Sequence, residues 1–327
     1  MSEEERVRAR KNELSAVINR YLMEQVPPGI DKKEWREFRD NYNNASKLKI
    51  NNAPAQLDIE LNSTCNLKCN FCIQSVRDLG KFVLGFDCFK KLVDEAIELG
   101  TRSLKLNYMN EPLIIQDLEK YIIYAKKVGM VNVFFSTNGI MLIEKRSKSL
   151  IDSGLTKLFI SIDATKSSTY ELQRNSKKFD RVVDNILKFI EVRNEMNLTY
   201  PLVRVNFLKT SLNLKQEQDF ISFWQGKADI IIIQEMNEVI DKKSILFIKA
   251  NKDNYKCSFP FKQLVVDARG RIMPCCCMNG VELQIGTIKD MSLKEAWNSK
   301  KINELRSLHK KGNYKENSIC KRCIDGE

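Results

Sequence analysis

Hydrophobic positions follow two rhythms between residues 57 and 234. Short apolar runs alternate with longer stretches in which apolar residues return every third or fourth position. Leu57-Asp58-Ile59-Glu60-Leu61 has the period-two pattern of a strand. Phe89, Leu92, Val93, Ala96 and Ile97 form one face of a helix that Gly100 closes. Leu104 to Tyr108 reads as the next strand, and Leu118, Tyr121, Ile122 and Ala125 as the next helix, ending near Gly129. Val131 to Ser136, Lys157 to Ile162, Leu202 to Leu208 and Asp229 to Ile233 also read as strands. Helices over 141–152, Arg181 to Met196 and Lys215 to Trp224 separate them. About six strand-then-helix units predict parallel pairing with right-handed crossovers. Six falls short of the eight of a closed barrel. The expected fold is therefore α/β, a partial (β/α)6 TIM-like barrel with its chemistry at the C-terminal strand ends.

The flanks break this rhythm. Leu14, Val17, Ile18, Tyr21 and Leu22 recur at helical spacing, and Pro27-Pro28-Gly29 ends that helix. Trp35, Phe38 and Tyr42 fall on one side of a second helix. Residues 1–50 thus read as an N-terminal helical extension packed on the main domain. After residue 250, Leu264-Val265-Val266-Asp267 and Arg271-Ile272-Met273 flank Ala268-Arg269-Gly270 as a hairpin. Ser292-Leu293-Lys294-Glu295 is a capping box opening a helix with Leu293, Ala296, Trp297, Ile302 and Leu305. The expected organisation is an extension over 1–50, the barrel over 51–240 and a small α+β domain over 241–327, the last boundary falling near 236–256.

Composition narrows the function classes. With 43% hydrophobic and 29% charged residues the chain is globular, neither disordered nor fibrous. No run approaches the roughly 18 apolar residues of a membrane span. Met1-Ser2-Glu3-Glu4-Glu5-Arg6 lacks an apolar secretory core, so the expected compartment is the reducing cytoplasm, with no membrane partner. The 54 basic and 42 acidic residues give +12, but no block reads as a basic arm. Nucleic acid is not the expected partner, whereas an anionic or phosphorylated small molecule suits this balance. Ten cysteines in such a chain point to metal rather than to disulfides.

Cys65, Cys69 and Cys72 give C-x3-C-x2-C directly after the first strand. A four-iron cluster needs four ligands, so three thiolates leave one iron open to a substrate or cofactor. The other readings are a structural zinc or buried free thiols, and no second C-x2-C lies nearby to complete a zinc site. Later, Cys257 precedes the hairpin, Cys275 follows it, and Cys320-Lys321-Arg322-Cys323 is a compact C-x2-C. Four such thiolates make a closed site for [4Fe–4S] or tetrahedral zinc. The tandem Cys275-Cys276-Cys277 leaves Cys276 as an alternative ligand, and Cys88 reads as a small buried hydrophobe.

The C-x3-C-x2-C at the end of a first barrel strand, with Phe71 before its last cysteine, resembles the signature of the radical S-adenosylmethionine (SAM) superfamily. The resemblance covers residues 57–234. Asn110-Glu111-Pro112 stands where that family has Gly-Gly-Glu-Pro, which holds the SAM amino group; Met109-Asn110 replaces the two glycines, while Glu111-Pro112-Leu113 is intact. Ser136-Thr137-Asn138-Gly139 resembles its Thr-Asn-Gly, Ser161-Ile162-Asp163 its Ser-x-Asp, and Arg174 the arginine that follows. The resemblance implies that Cys65, Cys69 and Cys72 hold a [4Fe–4S] cluster with one open iron. It also implies that Phe71, Asn110, Glu111, Asn138, Ser161, Asp163 and Arg174 line the SAM pocket. Residues 257–323 resemble the SPASM or shortened "twitch" region of such enzymes through Gly-x-x-x-Pro-Cys, Ile285-Gly286-Thr287-Ile288, the Leu293-to-Trp297 helix and the final C-x2-C. The C-x2-C-x5-C block of the full form is missing, which implies one auxiliary [4Fe–4S] cluster on Cys257, Cys275, Cys320 and Cys323.

The implied reaction starts with reductive SAM cleavage to a 5′-deoxyadenosyl radical, fed by an electron donor such as flavodoxin or ferredoxin. A hydrogen atom is then taken from substrate. A closed auxiliary cluster suits acceptance of a second electron, so the leading expectation is oxidation or epimerisation of a sugar-like or amino-sugar metabolite, phosphorylated or nucleotide-linked versions included. A peptide- or protein-modifying maturase is the alternative, and a non-enzymatic zinc or iron–sulfur interaction protein is another. No general base is named: Tyr108, Gln234, Glu235 and Asp267 lie near strand ends, and His309, the only histidine, reads as a surface residue.

Overall fold

A computed structural model of the chain describes residues 25–235 and 255–325. The helix expected around Leu14 to Leu22, and most of the expected boundary at 236–256, lie outside the described residues. The strands join in one nine-stranded sheet of order β6-β5-β4-β3-β2-β1-β7-β8-β9. β1 (Gln56–Ile59), β2 (Ser103–Lys105), β3 (Asn132–Thr137), β4 (Lys157–Ser161), β5 (Leu202–Lys209) and β6 (Ile230–Glu235) pair in parallel in chain order. Helices Phe86–Leu99, Leu118–Lys127, Glu144–Asp152, Phe179–Glu195 and Glu217–Trp224 form the crossovers. Six parallel strands joined by five crossovers make the partial barrel.

Period-two alternation explains both faces of β1. Leu57, Ile59 and Leu61 enter the main core beside Phe89, Leu92, Val93 and Ala96 of the first crossover helix. Gln56, Asp58 and Glu60 are also buried, on the opposite face. There they bond to one another and across strands: the Gln56 amide donates to Asp58 at 2.5 Å, and Glu60 accepts from the backbone of Met109 and Ala268. The interior of this barrel is thus polar on β1.

β7 (Gln263–Val266) lies parallel to β1 on its free side, with Gln56 opposite Gln263 and Ile59 opposite Val266. The expected hairpin follows: β8 (Arg271–Met273) runs antiparallel to β7, and β9 (Gly286–Thr287) antiparallel to β8. The C-terminal segment therefore extends the barrel's own sheet, and Leu264, Ile272, Leu293 and Trp297 share one core with Leu57. The capping box at Ser292 and Glu295 forms, but the helix it opens ends at Asn298. Extended Ser299 (ψ 154°) breaks it and caps a second helix, Lys300–Lys311, by accepting from the Ile302 N–H.

Helix Lys32–Ser46 buries Trp35 and Phe38 against Val131, just ahead of β3. The ammonium of Lys157, the first residue of β4, lies 5.4 Å from the Trp35 ring. This helix therefore packs at the N-terminal strand ends, opposite the end where the cysteines gather. Among the described residues no helix is long and apolar enough to cross a membrane.

Candidate active site

The loop after β1 is pinned before it reaches its first thiol. The Asn62 amide donates to the carbonyl and hydroxyl of Thr64 at 3.1 and 2.8 Å. Gln74 donates to the carbonyls of Ser63 and Met109, tying this loop to the one after β2. A tight turn, Cys72 N–H to Cys69 carbonyl at 3.0 Å, then brings the last two thiols round. Cys69 is buried, and Cys65 and Cys72 are half-buried. Burial pushes all three thiols up, Cys65 to about 12, while the Arg174 charge pulls Cys69 back. Thiols this reluctant to ionise alone become thiolates when a metal site compensates the charge, and protons leave as it binds. Two donors face the sulfurs: Arg174 Nη1 is 3.8 Å from Cys69 Sγ, and Asn138 Nδ2 is 3.9 Å from Cys65 Sγ. Such donors stabilise a negative iron–sulfur group, so the residues present fit one.

The strand-end residues meet around this loop. Asn110 donates to Asn62 at 2.7 Å, and Asn138 donates to Asn66 at 2.7 Å. Glu111, which follows β2, accepts from the N–H of Leu113 (3.1 Å), the Thr137 hydroxyl (2.6 Å) and the N–H of Asn138 (2.8 Å). Both its oxygens are thus engaged in holding the Thr137-Asn138 turn. Asp163 lies past the end of β4 in the left-handed region (φ 64°), buried and paired with Arg174. The Arg174 guanidinium is 5.4 Å from the Phe71 ring. Ser161, the last residue of β4, sits opposite Asn206 of β5. Arg174 reaches this cluster from helix Ser167–Arg174, whose buried face is Thr169, Tyr170, Gln173 and Arg174.

The later cysteines gather separately. Cys257, Cys275, Cys320 and Cys323 line one cavity of about 420 Å³. Burial raises Cys257, with Cys275, Cys323 and Cys320 adding to the rise, and lifts Cys320 to about 12. Cys276 also borders the cavity, and burial raises its thiol to about 12, with Lys105 opposing the rise. Cys277, not singled out by the sequence, has its sulfur 3.6 Å from that of Cys275, and its carbonyl accepts from the Tyr108 hydroxyl. Among the described residues no group of three or more His, Cys, Asp or Glu closes on a single metal ion. The same cavity reaches Phe71 and Cys72 of the first site, and Leu208 and Gln234 also line it.

One expectation changes. His309 is not a surface residue: it is 1% exposed, with Nε2 3.5 Å from Cys320 Sγ and Nδ1 3.4 Å from the Cys257 N–H. Asp267, near a strand end, accepts from the backbone of Arg269 and Arg271 and pairs with the Arg271 guanidinium, closing the hairpin. The Glu235 side chain lies outside the described residues.

A radical SAM superfamily model matches residues 59–207, and a model for SPASM, an iron–sulfur cluster-binding domain, matches 257–324. The chain belongs to the radical SAM superfamily. Its cofactors are accordingly SAM and a [4Fe–4S] cluster, with auxiliary iron–sulfur in the SPASM domain. A probable GTP 3′,8-cyclase of Methanococcus maripaludis is 33% identical over 179 residues, 54% of this chain and 57% of that protein. The chain thus aligns with little more than half the length of such relatives. An S-adenosyl-L-methionine-dependent 2-deoxy-scyllo-inosamine dehydrogenase of Niallia circulans is 20% identical over 277 residues, 82% of this chain and 92% of the relative. The crystal structure of Streptococcus suis SuiB bound to precursor peptide SuiA superposes with TM-score 0.64 at 18% identity, over 85% of this chain and 72% of that one. At that identity it establishes the fold alone.

Within this radical SAM frame, Glu60 links the loop after β2 to the β7–β8 turn by accepting from Met109 N–H (2.9 Å) and Ala268 N–H (3.2 Å). Burial, aided by the Asp267 charge, holds its carboxyl up at about 7, against those bonds and Arg271. A carboxyl that keeps its proton longer folded than unfolded destabilises the fold as pH rises from about 4.5 to 7. Urea unfolding of the iron-free chain over that range should show stability falling by up to about 3 kcal/mol more than in Glu60→Gln. Parallel pH profiles for the two proteins would remove Glu60 as the cause.

Proposed function

We propose that this protein is a radical SAM oxidoreductase, of dehydrogenase type, acting on a small sugar-like or amino-sugar metabolite. The observation that carries this reading is the shared cavity, which is lined by Cys72 and Phe71 as well as by Cys257, Cys275, Cys320 and Cys323. In this reading Cys65, Cys69 and Cys72 hold the first cluster, and the four later cysteines hold one auxiliary cluster. When bound, these groups and SAM would supply hydrogen-atom abstraction and a one-electron acceptor. The chain's own residues do the rest. Arg174 brings positive charge and Asn138 an amide donor to the thiol loop, Glu111 holds the Thr137-Asn138 turn, and Phe71 and Leu208 give the cavity apolar lining.

A cavity of about 420 Å³ suits a small ligand, even with part of it given to the auxiliary cluster. The Niallia circulans dehydrogenase aligns over nearly its whole length, whereas the cyclase match stops at about half of its own. Both favour oxidation of a polyol or amino-polyol over cyclisation of a nucleotide. The electron source in this reading is a flavodoxin- or ferredoxin-type carrier.

The test is anaerobic turnover of reconstituted protein with SAM, a reductant and panels of amino-cyclitols, sugar alcohols, nucleotides and short peptides. Substrate-dependent 5′-deoxyadenosine with a ketone product from a polyol is expected. Turnover confined to peptides would replace the metabolite reading with peptide modification.

A further inference from the structure

We infer that His309 donates a hydrogen bond to the Cys320 sulfur and thereby raises the reduction potential of the auxiliary cluster. The inference rests on the proposed reading that Cys257, Cys275, Cys320 and Cys323 hold that cluster. His309 is the only histidine in the chain. It falls in the last turn of helix Lys300–Lys311 with Lys310 and Lys311. A cation in a last turn ordinarily complements the helix dipole. The two exposed lysines fill that role, while His309 turns inward at 1% exposure.

Both ring nitrogens are spoken for. Nδ1 lies 3.4 Å from the backbone nitrogen of Cys257, and Nε2 lies 3.5 Å from Cys320 Sγ. A backbone N–H can only donate, so Nδ1 must present its lone pair. The proton of the imidazole is then on Nε2, facing the sulfur. The backbone of one cysteine of the set thereby fixes the tautomer that serves another, 63 positions away in sequence. The Cys320 N–H is engaged elsewhere, donating to Asn317 Oδ1 at 3.0 Å, so the imidazole supplies a donor that this backbone does not.

An N–H aimed at a ligand sulfur stabilises negative charge there, and more of it once the cluster has gained an electron. The reduced form is favoured and the potential rises. For a site that is to take an electron from substrate, this is the useful direction. His309 is a positioning and tuning residue in this account, not a ligand.

The experiment uses the whole chain, reconstituted anaerobically, with Cys65, Cys69 and Cys72 changed to alanine so that the auxiliary signal stands alone. His309→Leu removes the donor, His309→Met is a second apolar replacement should the leucine variant not fold, and His309→Gln keeps a side-chain N–H. Iron content and the midpoint potential from electron paramagnetic resonance are read for each. The expected result is unchanged iron, a lower midpoint for the apolar variants and a midpoint largely restored by glutamine. An unshifted midpoint with full iron would overturn the inference. So would loss of iron in all three variants, which would make His309 a ligand. No iron in the parent triple variant would instead sink the reading of the four-thiol site itself.

Discussion

Replacing Cys65, Cys69 and Cys72 together by alanine is expected to remove about half of the iron of the reconstituted protein and to abolish SAM cleavage, a drop of at least ~10³-fold. The iron should fall from about eight to about four per chain, because the four later thiols sit on other elements. The fold should survive: Asn62, Ser63 and Gln74 hold the loop through backbone and side-chain bonds that use none of the three sulfurs. The size of the effect separates ligands from their supports. Asn138→Ala removes only an outer donor 3.9 Å from Cys65 Sγ, and losing such a partner costs roughly 10–100-fold. Iron counting, with 5′-deoxyadenosine measured under reductant, reads both. Retention of all the iron in the triple variant, or SAM cleavage that persists, would remove these cysteines from the cluster.

Much of this arrangement was legible because local patterns and packing agree. The alternation of Leu57, Ile59 and Leu61 marks a strand face, and those residues do enter the core. The Ser292–Glu295 capping box closes as its sequence requires. What escaped was polar or non-local. Ile302, Leu305, Arg306 and His309 recur at i, i+3, i+4 and i+7 and are all buried, so the helical period did place His309 inward. Its polarity, and the charge of Arg306 beside it, concealed the face. The helix carrying Arg174 escaped for the same reason, since its buried face includes Thr169, Gln173 and Arg174. The pairing of β7 with β1 spans some two hundred residues and leaves no local signature. In the Cys275–Cys277 tandem, spacing cannot say which thiol points where, and all three border the same cavity.

Asp163→Ala is expected to destabilise the iron-free chain by about 3–5 kcal/mol, because it strands a buried guanidinium. Asp163 is 1% exposed and pairs with Arg174, itself 7% exposed. Its other oxygen accepts from the Leu208 N–H at 2.8 Å, linking the end of β4 to β5. Its carbonyl accepts from Gln173 and Asn213 at 2.9 and 2.8 Å, so the left-handed backbone at φ 64° is fixed from three sides. Alanine tolerates that conformation poorly, which adds about 1 kcal/mol. Asp163→Asn keeps an acceptor for Leu208 and suits the left-handed region, so its cost should be smaller. The decisive comparison is the double variant Asp163→Ala with Arg174→Met. With the cation gone, the uncompensated charge disappears, and the double variant should be more stable than Asp163→Ala alone. Urea unfolding of the three proteins measures this. If the double variant is no more stable than the single one, the pair is not what holds this corner, and the cost lies in the backbone turn. The same pairing keeps Arg174 beside Cys69 and Phe71, so the buried ion pair, whose Asp163 ties β4 to β5, also fixes the positive charge that the thiolate loop requires.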